Sequence, residues 1–308
     1  TTLYCPGQWG EPGHESLLAY LDLIAGHADD SQAYYRRHGA TDNLRIFLGV
    51  PDQGVPHAQA IPSRGTGECQ VTIFARTLLA TPREHVAFIV AHELFHCFTF
   101  RNMGEAFWGN PLSVNGWWVE GGASYFADRV FPDSDIEFVK YFGEFDRRSP
   151  TDALVEMSYE TIHFFQFLGG IVGEAQIIAW LQALPAGGGL EAQARALSTW
   201  DDIDRSFHAF GRAYLASELH DAAGKRYPHR PLPGRRIAVT PPVLELETRP
   251  FVLSRFQLAF DPDQSLTLGR PQIRPATGRH SVRVTPPTAD TPWTTPLPAR
   301  MPTTPPIT

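Results

Sequence analysis

The chain has 308 residues, enough to bury a sizeable core, and its 43% hydrophobic, 12% aromatic and 19% charged residues are ordinary for a globular protein. Its net charge of −7 argues against a nucleic-acid partner, because phosphate binding needs a basic surface. The one basic stretch, Lys225 to Arg236, is interleaved with prolines and is interpreted as a solvated linker or a processing site. No run reaches the roughly 18 apolar residues that cross a bilayer, so no membrane span is expected.

Helix and strand patterns alternate in the N-terminal part of the chain. Apolar residues at helical spacing predict a helix over residues 15–38. The apolar run 44–50 and the alternating, β-branched run 69–75 predict two strands, and the Pro- and Gly-rich residues 51–67 between them predict a loop. We therefore expect a small N-terminal sheet.

A long helical part follows. Thr81-Pro82-Arg83-Glu84 offers an N-cap, a proline at the first helical position and an acid in the first turn, which predicts a helix over about 82–100. Residues 101–116 contain Gly and Pro and predict a loop, and residues 117–131 predict a second helix. Further helices are predicted over 134–145, 151–168, 172–183, 189–197 and 200–219.

The composition changes after about residue 236. Short strand-like runs divided by Pro, Gly and Asp predict a small, sandwich-like β domain over 236–285. Residues 286–308 are mostly Thr and Pro and predict a tail without a core. The predicted fold class is therefore α+β: a mainly helical domain with a small N-terminal sheet over 1–235, followed by the β domain and the tail.

The three cysteines, Cys5, Cys69 and Cys97, permit at most one internal disulfide. Cys97 falls on a predicted buried helix and is expected to be a packed thiol, which leaves Cys5 with Cys69 as the more plausible pair. A disulfide suits an exported protein, and a start at Thr1 instead of Met fits a removed leader. The expected location is therefore secreted or extracytoplasmic.

Residues 92–96 read HELFH and so have the HExxH pattern. Residues four apart on a helix lie on the same face, so the imidazoles of His92 and His96 can reach one ion. Neutral imidazole is a good zinc ligand, and catalytic zinc sites use three protein ligands. Glu93 follows the first histidine and can act as general base on a water at the ion. The pattern predicts a Zn²⁺ cofactor with Glu93 as a catalytic residue.

Glu120, in the segment Trp117–Ala123 (WWVEGGA), is the predicted third ligand. A carboxylate on an otherwise apolar helix needs a partner when it is buried, and a metal ion supplies one. Gly121 and Gly122 are poor helix formers, but they make sense if this helix must approach the first one closely. The alternative is that Glu120 starts a helix and interacts with its dipole.

HELFH followed by WWVEGGASYF resembles the gluzincin clan of zinc metallopeptidases, which includes thermolysin-like and aminopeptidase-like branches, and is closest to the second. The resemblance covers roughly residues 65–220. It implies a zincin-like catalytic domain in which His92, His96 and Glu120 bind zinc and Glu93 acts as the base.

Two segments depart from the pattern of the clan. Many members carry an acidic residue four positions after the third ligand, which orients the first histidine, but Ser124 stands there. Asp128 is the nearest acidic candidate for that role. Glu68 falls where aminopeptidase-like members have a glutamate that binds the amine of the substrate, although the Met and Asn of that GxMEN segment are absent.

Residues 158–168 resemble the helix that begins with a catalytic tyrosine in aminopeptidase-like gluzincins. On that pattern Tyr159 would donate its hydroxyl to the oxyanion of the transition state. The alternative is an amphipathic surface residue on a core helix. His163, one turn later, is a second candidate donor, and its alternative is a histidine with its hydrogen bonds satisfied in the core.

The sequence thus predicts zinc-dependent hydrolysis of a peptide or protein substrate by metal-activated water, with Glu93 as base and Tyr159 stabilising the oxyanion. One alternative is an aminopeptidase that uses Glu68. Another is a non-catalytic binding or adhesion module with structural zinc, which would need a fourth Cys or His to close the site. Cys97 points about 100° away from His96 on a helix and cannot readily close it.

Overall fold

The computed structural model describes residues 2–4, 14–39, 44–49, 58–62, 69–74, 80–103, 112–185, 187–228, 231–238 and 248–259. Over these residues the fold is α+β, mostly helical with two small sheets. This agrees with the predicted α+β class and with the predicted N-terminal sheet. Cys5, Glu68 and the predicted tail 286–308 lie outside the described residues.

The N-terminal sheet has four strands in the order β1-β2-β4-β3. Strands β1 (Thr2–Tyr4), β2 (Leu44–Gly49) and β4 (Cys69–Phe74) are parallel, and β3 (Ala58–Pro62) is antiparallel to β4 at the edge. The predicted strands 44–50 and 69–75 are confirmed. The predicted loop 51–67 is wrong over β3. The sequence of this short run does not predict a strand, and its strand conformation comes from pairing with β4.

Three long helices pack on one another: α1 (His14–Arg36), α2 (Arg83–Met103) and α3 (Leu112–Val130). Helix α2 packs against β3 and β4 and also against α1 and α3. It is central because every residue from Val86 to Phe98 is buried. The predicted helices over 15–38 and about 82–100 are confirmed, whereas α3 begins within the segment predicted as a loop.

Shorter helices complete the body: α4 (Ile136–Lys140), α5 (Phe142–Arg148), α6 (Ile162–Val172), α7 (Glu174–Gln182), α8 (Gly189–Leu197) and α9 (Ile203–Leu215). The single helix predicted over 151–168 is wrong, since 3₁₀ turns at Leu154–Glu156 and Tyr159–Thr161 precede α6. Arg148 holds this irregular segment through Asp152, Glu160 and the carbonyl of Glu156.

The C-terminal part contributes a parallel pair of strands, β5 (Arg235–Ala238) and β6 (Phe256–Ala259). Before β6, the chain packs against the helical body: Leu253 donates its backbone N–H to Ser149, and Arg255 pairs with buried Asp146. The sandwich-like domain over 236–285 stays a prediction, because the remaining predicted strands lie outside the described residues.

A disulfide joins Cys69 at the start of β4 to Cys97 on α2. The predicted Cys5–Cys69 pair and the predicted free thiol of Cys97 are therefore wrong. Cys97 is buried as expected, but the packing of α2 against β4 places it beside Cys69. A sequence separation of 28 residues gives no hint of this contact.

Across the described residues, no single helix has the length and apolarity to cross a membrane. The segments Tyr159–Val172 and Glu174–Gln182 have the required length and apolarity only when they are taken together, and the chain bends by 117° at the break between them.

Candidate metal centre

Helix α2 brings His92 and His96 to one face, as the spacing predicts. Their Nε2 atoms lie 3.1 Å apart, and the ring planes are nearly perpendicular. Both side chains are buried, with 6% of each residue exposed. The helix is anchored at this point because Tyr35 of α1 donates its hydroxyl to the carbonyl of Ala91.

Glu120 of α3 completes a triangle of donor atoms. Its Oε2 lies 3.1 Å from Nε2 of His92 and 3.6 Å from Nε2 of His96. Tetrahedral zinc with bonds of 2.0–2.1 Å would separate its ligands by about 3.3 Å, so the triangle has the dimensions of one face of such a tetrahedron. The three buried residues lie close enough to bind a metal ion.

Two neighbouring glycines let α3 reach its partners. A Cβ at Gly122 would make ordinary contact, 3.7 Å, with Phe95 of α2. A Cβ at Gly121 would lie 1.7 Å from Oγ1 of Thr161, so Gly121 serves the approach of the 3₁₀ turn that begins at Tyr159. The two small residues therefore face different neighbours, and only Gly122 faces the helix that carries the histidines.

The electrostatics of the site favour a cation. Burial acts to raise the pKa of Glu120, but the two histidines outweigh it and hold the pKa of this carboxyl well below its ordinary value. Burial likewise acts to lower the pKa of His96, and the negative charge of Glu120 outweighs it and raises that pKa. The Glu120 carboxylate therefore stays ionised although it is buried.

Glu93 and Tyr159 lie next to the three donor atoms. Glu93 is 8% exposed, and its charge contributes to raising the pKa of both His96 and Tyr159. The ring of Tyr159 stacks on that of His92, with centroids 5.6 Å apart and planes inclined by 17°. Tyr159 is 40% exposed and so borders the solvent side of the site.

The hydroxyl of Tyr159 faces the carboxylate of Glu120. Partial burial of the phenol and the negative charge of Glu120 both raise its pKa. Tyr159 therefore keeps its proton throughout the neutral range and can act as a hydrogen-bond donor, as its predicted role at an oxyanion requires.

Asp128 does not contact His92, and the prediction that it orients this histidine is wrong. Its Oδ2 accepts hydrogen bonds from Gln166 and from the backbone of Ala222. The group beside Nδ1 of His92 is Ser124, whose Oγ lies at 3.3 Å. The sequence places Ser124 one helical turn after Glu120 on the same face, but only the packing of α3 against α2 brings its hydroxyl to Nδ1 of His92.

His163 lies in the aromatic core. It is fully buried, its Nδ1 is 2.8 Å from the hydroxyl of Tyr227, and its ring contacts Phe142 and Phe145. This placement agrees with the core alternative and not with a donor at the metal centre. Glu68, the predicted amine anchor, lies outside the described residues.

No protein-family model, no curated protein and no solved structure matches this chain. The chemistry of the centre therefore has to be derived from its own residues.

Proposed function

We propose that this chain is a zinc-dependent peptidase of the gluzincin type, with a peptide or protein as its substrate. The triangle formed by the donor atoms of His92, His96 and Glu120 carries the proposal. Bound there, Zn²⁺ would lower the pKa of water towards neutrality and polarise the carbonyl of a peptide bond.

The number of protein ligands supports a catalytic role over a structural one. A structural zinc site takes four protein ligands, whereas the described residues supply three at this centre. Cys97, the nearest cysteine in sequence, is engaged in a disulfide and is not available as a fourth ligand. These facts count against the alternative of a binding or adhesion module with structural zinc.

Two further residues supply the proton chemistry of the proposed reaction. Glu93 takes a proton from the attacking water and returns it to the leaving amine. Tyr159 donates its hydroxyl to the oxygen that becomes negative in the tetrahedral intermediate. Its stacking on His92 and the hydrogen bonds of Arg148 to the same segment hold the phenol before substrate arrives.

The disulfide between Cys69 and Cys97 fits our proposal that the chain works outside the cytoplasm, where thiols are oxidised.

The decisive variant is Glu93→Gln, with Glu84→Gln as its matched control, since Glu84 is an exposed glutamate on the same helix. Metal content by elemental analysis and cleavage of a peptide library are measured for both. We expect Glu93→Gln to keep one zinc ion and to lose hydrolysis by at least about a hundredfold, the range of general-base catalysis. Full activity in Glu93→Gln would refute the mechanism.

Elemental analysis also tests the choice of metal. Two imidazoles with one carboxylate suit iron as well as zinc. A stoichiometric iron content with no zinc would refute the assignment to a zinc peptidase, because two histidines and one carboxylate that hold iron are typical of oxygenases.

Aminopeptidase action stays an alternative within the same proposal. Peptides with free and N-acetylated termini separate the two modes of cleavage. An aminopeptidase cleaves only the free-amine series, whereas an endopeptidase cleaves both. Glu68→Gln would then weaken binding of the free-amine series alone.

A further inference from the structure

Nδ1 of His92 needs a hydrogen-bond acceptor when Nε2 binds a cation. A neutral imidazole that uses Nε2 as a metal ligand carries its proton on Nδ1, and a buried N–H without an acceptor is costly. His92 is buried, so this acceptor has to come from the protein. Oγ of Ser124, at 3.3 Å, stands in that position.

Two aromatic rings pack against the ring of His92. Tyr159 stacks on it at 5.6 Å, and Phe88 stacks at 6.3 Å with a plane inclined by 27°. These contacts restrict the plane of the ring but do not distinguish the two orientations that a 180° turn about the Cβ–Cγ bond exchanges. A hydrogen bond from Nδ1 to Ser124 selects one of them and so directs Nε2 towards Glu120.

Ser124 is itself held in place. It is fully buried on α3, one helical turn after Glu120, so a single helix carries both the carboxylate ligand and the acceptor for Nδ1. The hydroxyl of Tyr141 lies beside the Ser124 hydroxyl, and the ring of Tyr141 stacks on that of Tyr159. Ser124 and Tyr141 thus link Nδ1 of His92 to Tyr159, whose ring stacks on that of His92.

We propose that Ser124 is a positioning residue of the metal centre, whose hydroxyl accepts the Nδ1 proton of His92 and sets the direction of Nε2. Its hydroxyl is a neutral group at the position where the resemblance to gluzincins implies an acidic residue. The inference rests on the proposed function only in that His92 binds a metal ion, and it does not depend on peptide hydrolysis.

The test compares Ser124→Ala with Ser124→Thr, which keeps the hydroxyl, and with Ser149→Ala. Ser149 is a matched control because it is equally buried and its Oγ has no hydrogen-bond partner among the described residues. Metal-free protein is titrated with Zn²⁺ against a chromophoric chelator, and its melting temperature is measured without metal.

We expect Ser124→Ala to weaken zinc binding about 10- to 100-fold, the usual effect of losing the partner of a histidine ligand. Ser124→Thr and Ser149→Ala should bind zinc as the unaltered chain does. Both alanine variants should remain folded without metal at the temperature of the titration, so that zinc affinity is measured on folded protein. In zinc-loaded protein, the slowly exchanging Nδ1 proton of His92 should be visible by NMR and lost in Ser124→Ala.

Zinc binding by Ser124→Ala as tight as in the unaltered chain would overturn the inference. An equal loss of affinity in Ser149→Ala would also overturn it, because the effect would then be one of general stability. If the chain does not hydrolyse peptides but its zinc affinity falls in Ser124→Ala, the proposed function is refuted and the inference stands. An unaltered chain that binds no zinc would overturn both.

Discussion

Gly121 and Gly122 are adjacent on α3, and we predict that the same substitution, glycine to alanine, changes stability in opposite directions at the two positions. A Cβ at Gly122 meets its nearest neighbours at 3.7 and 3.8 Å, which is ordinary contact. A Cβ at Gly121 falls 1.7 Å from Oγ1 of Thr161 and 3.0 Å from the carbonyl oxygen of Ser158. Only the first position has room for a methyl group.

The magnitudes follow from three contributions. In either position alanine stabilises a helix interior by about 0.8–1 kcal/mol relative to glycine. At Gly121 the added methyl also costs about 1–3 kcal/mol of overpacking. Moving the Thr161 hydroxyl aside breaks its hydrogen bonds to the carbonyls of Trp117 and Ser158, at about 1 kcal/mol each. We expect Gly121→Ala to destabilise the chain by about 2–4 kcal/mol and Gly122→Ala to stabilise it by up to about 1 kcal/mol.

Chemical denaturation of metal-free protein measures both effects. The double variant Gly121→Ala/Thr161→Ala should recover part of the loss, because the closest clash is with Oγ1 of Thr161. Since Thr161 lies in the same 3₁₀ turn as Tyr159, Gly121→Ala should also reduce hydrolytic activity if our proposed function holds. Equal stability of the two single variants would refute the close approach of this turn to α3.

Three further predictions concern groups around the centre. Replacing Cys69 and Cys97 by serine should lower the free energy of unfolding by about 3.5 kcal/mol, from the loop entropy of a 28-residue separation; an unchanged denaturation midpoint would contradict the disulfide. Burial raises the pKa of Asp128 to about 7 and that of Glu137 to about 8. Their protonated forms are favoured in the fold, so this stabilisation is complete below about pH 4 and is lost as the pH rises through 7 to 8. The chain should unfold more readily at pH 9 than at pH 6, and the Asp128→Asn/Glu137→Gln variant should show a flatter profile; equal profiles would contradict the assignment. Arg148→Ala should lower activity more than zinc affinity, because it releases the segment of Tyr159 and not the ligands; an equal loss of both would contradict this role.

The proximity of the two histidines could be predicted because it depends on local geometry alone. Four residues are slightly more than one turn, so any helix through residues 92–96 places His92 and His96 on one face. The helix itself was evident from its start at Thr81–Glu84 and from its apolar surroundings. Glu120 was predicted by chemical need, since a buried carboxylate on an apolar helix requires a partner.

The irregular segment before α6 could not be predicted from its composition. Residues 151–168 have an apolar helical pattern, but the guanidinium of Arg148 binds Asp152, Glu160 and the carbonyl of Glu156. These contacts favour two 3₁₀ turns over a continuous helix. Tyr159 is consequently the first residue of a turn packed against α3 rather than of the expected helix.

The sequence by itself therefore determined the α+β class, the long helices and the chemical identity of the candidate metal ligands, because each depends on periodicity or on neighbours within one or two turns. Only the tertiary structure decided which distant residues surround those ligands. It replaced Asp128 with Ser124 beside His92, joined Cys97 to Cys69 and stacked Tyr159 on the ring of His92. These contacts depend on how α2, α3, β4 and the Tyr159 turn pack together, which no local pattern encodes.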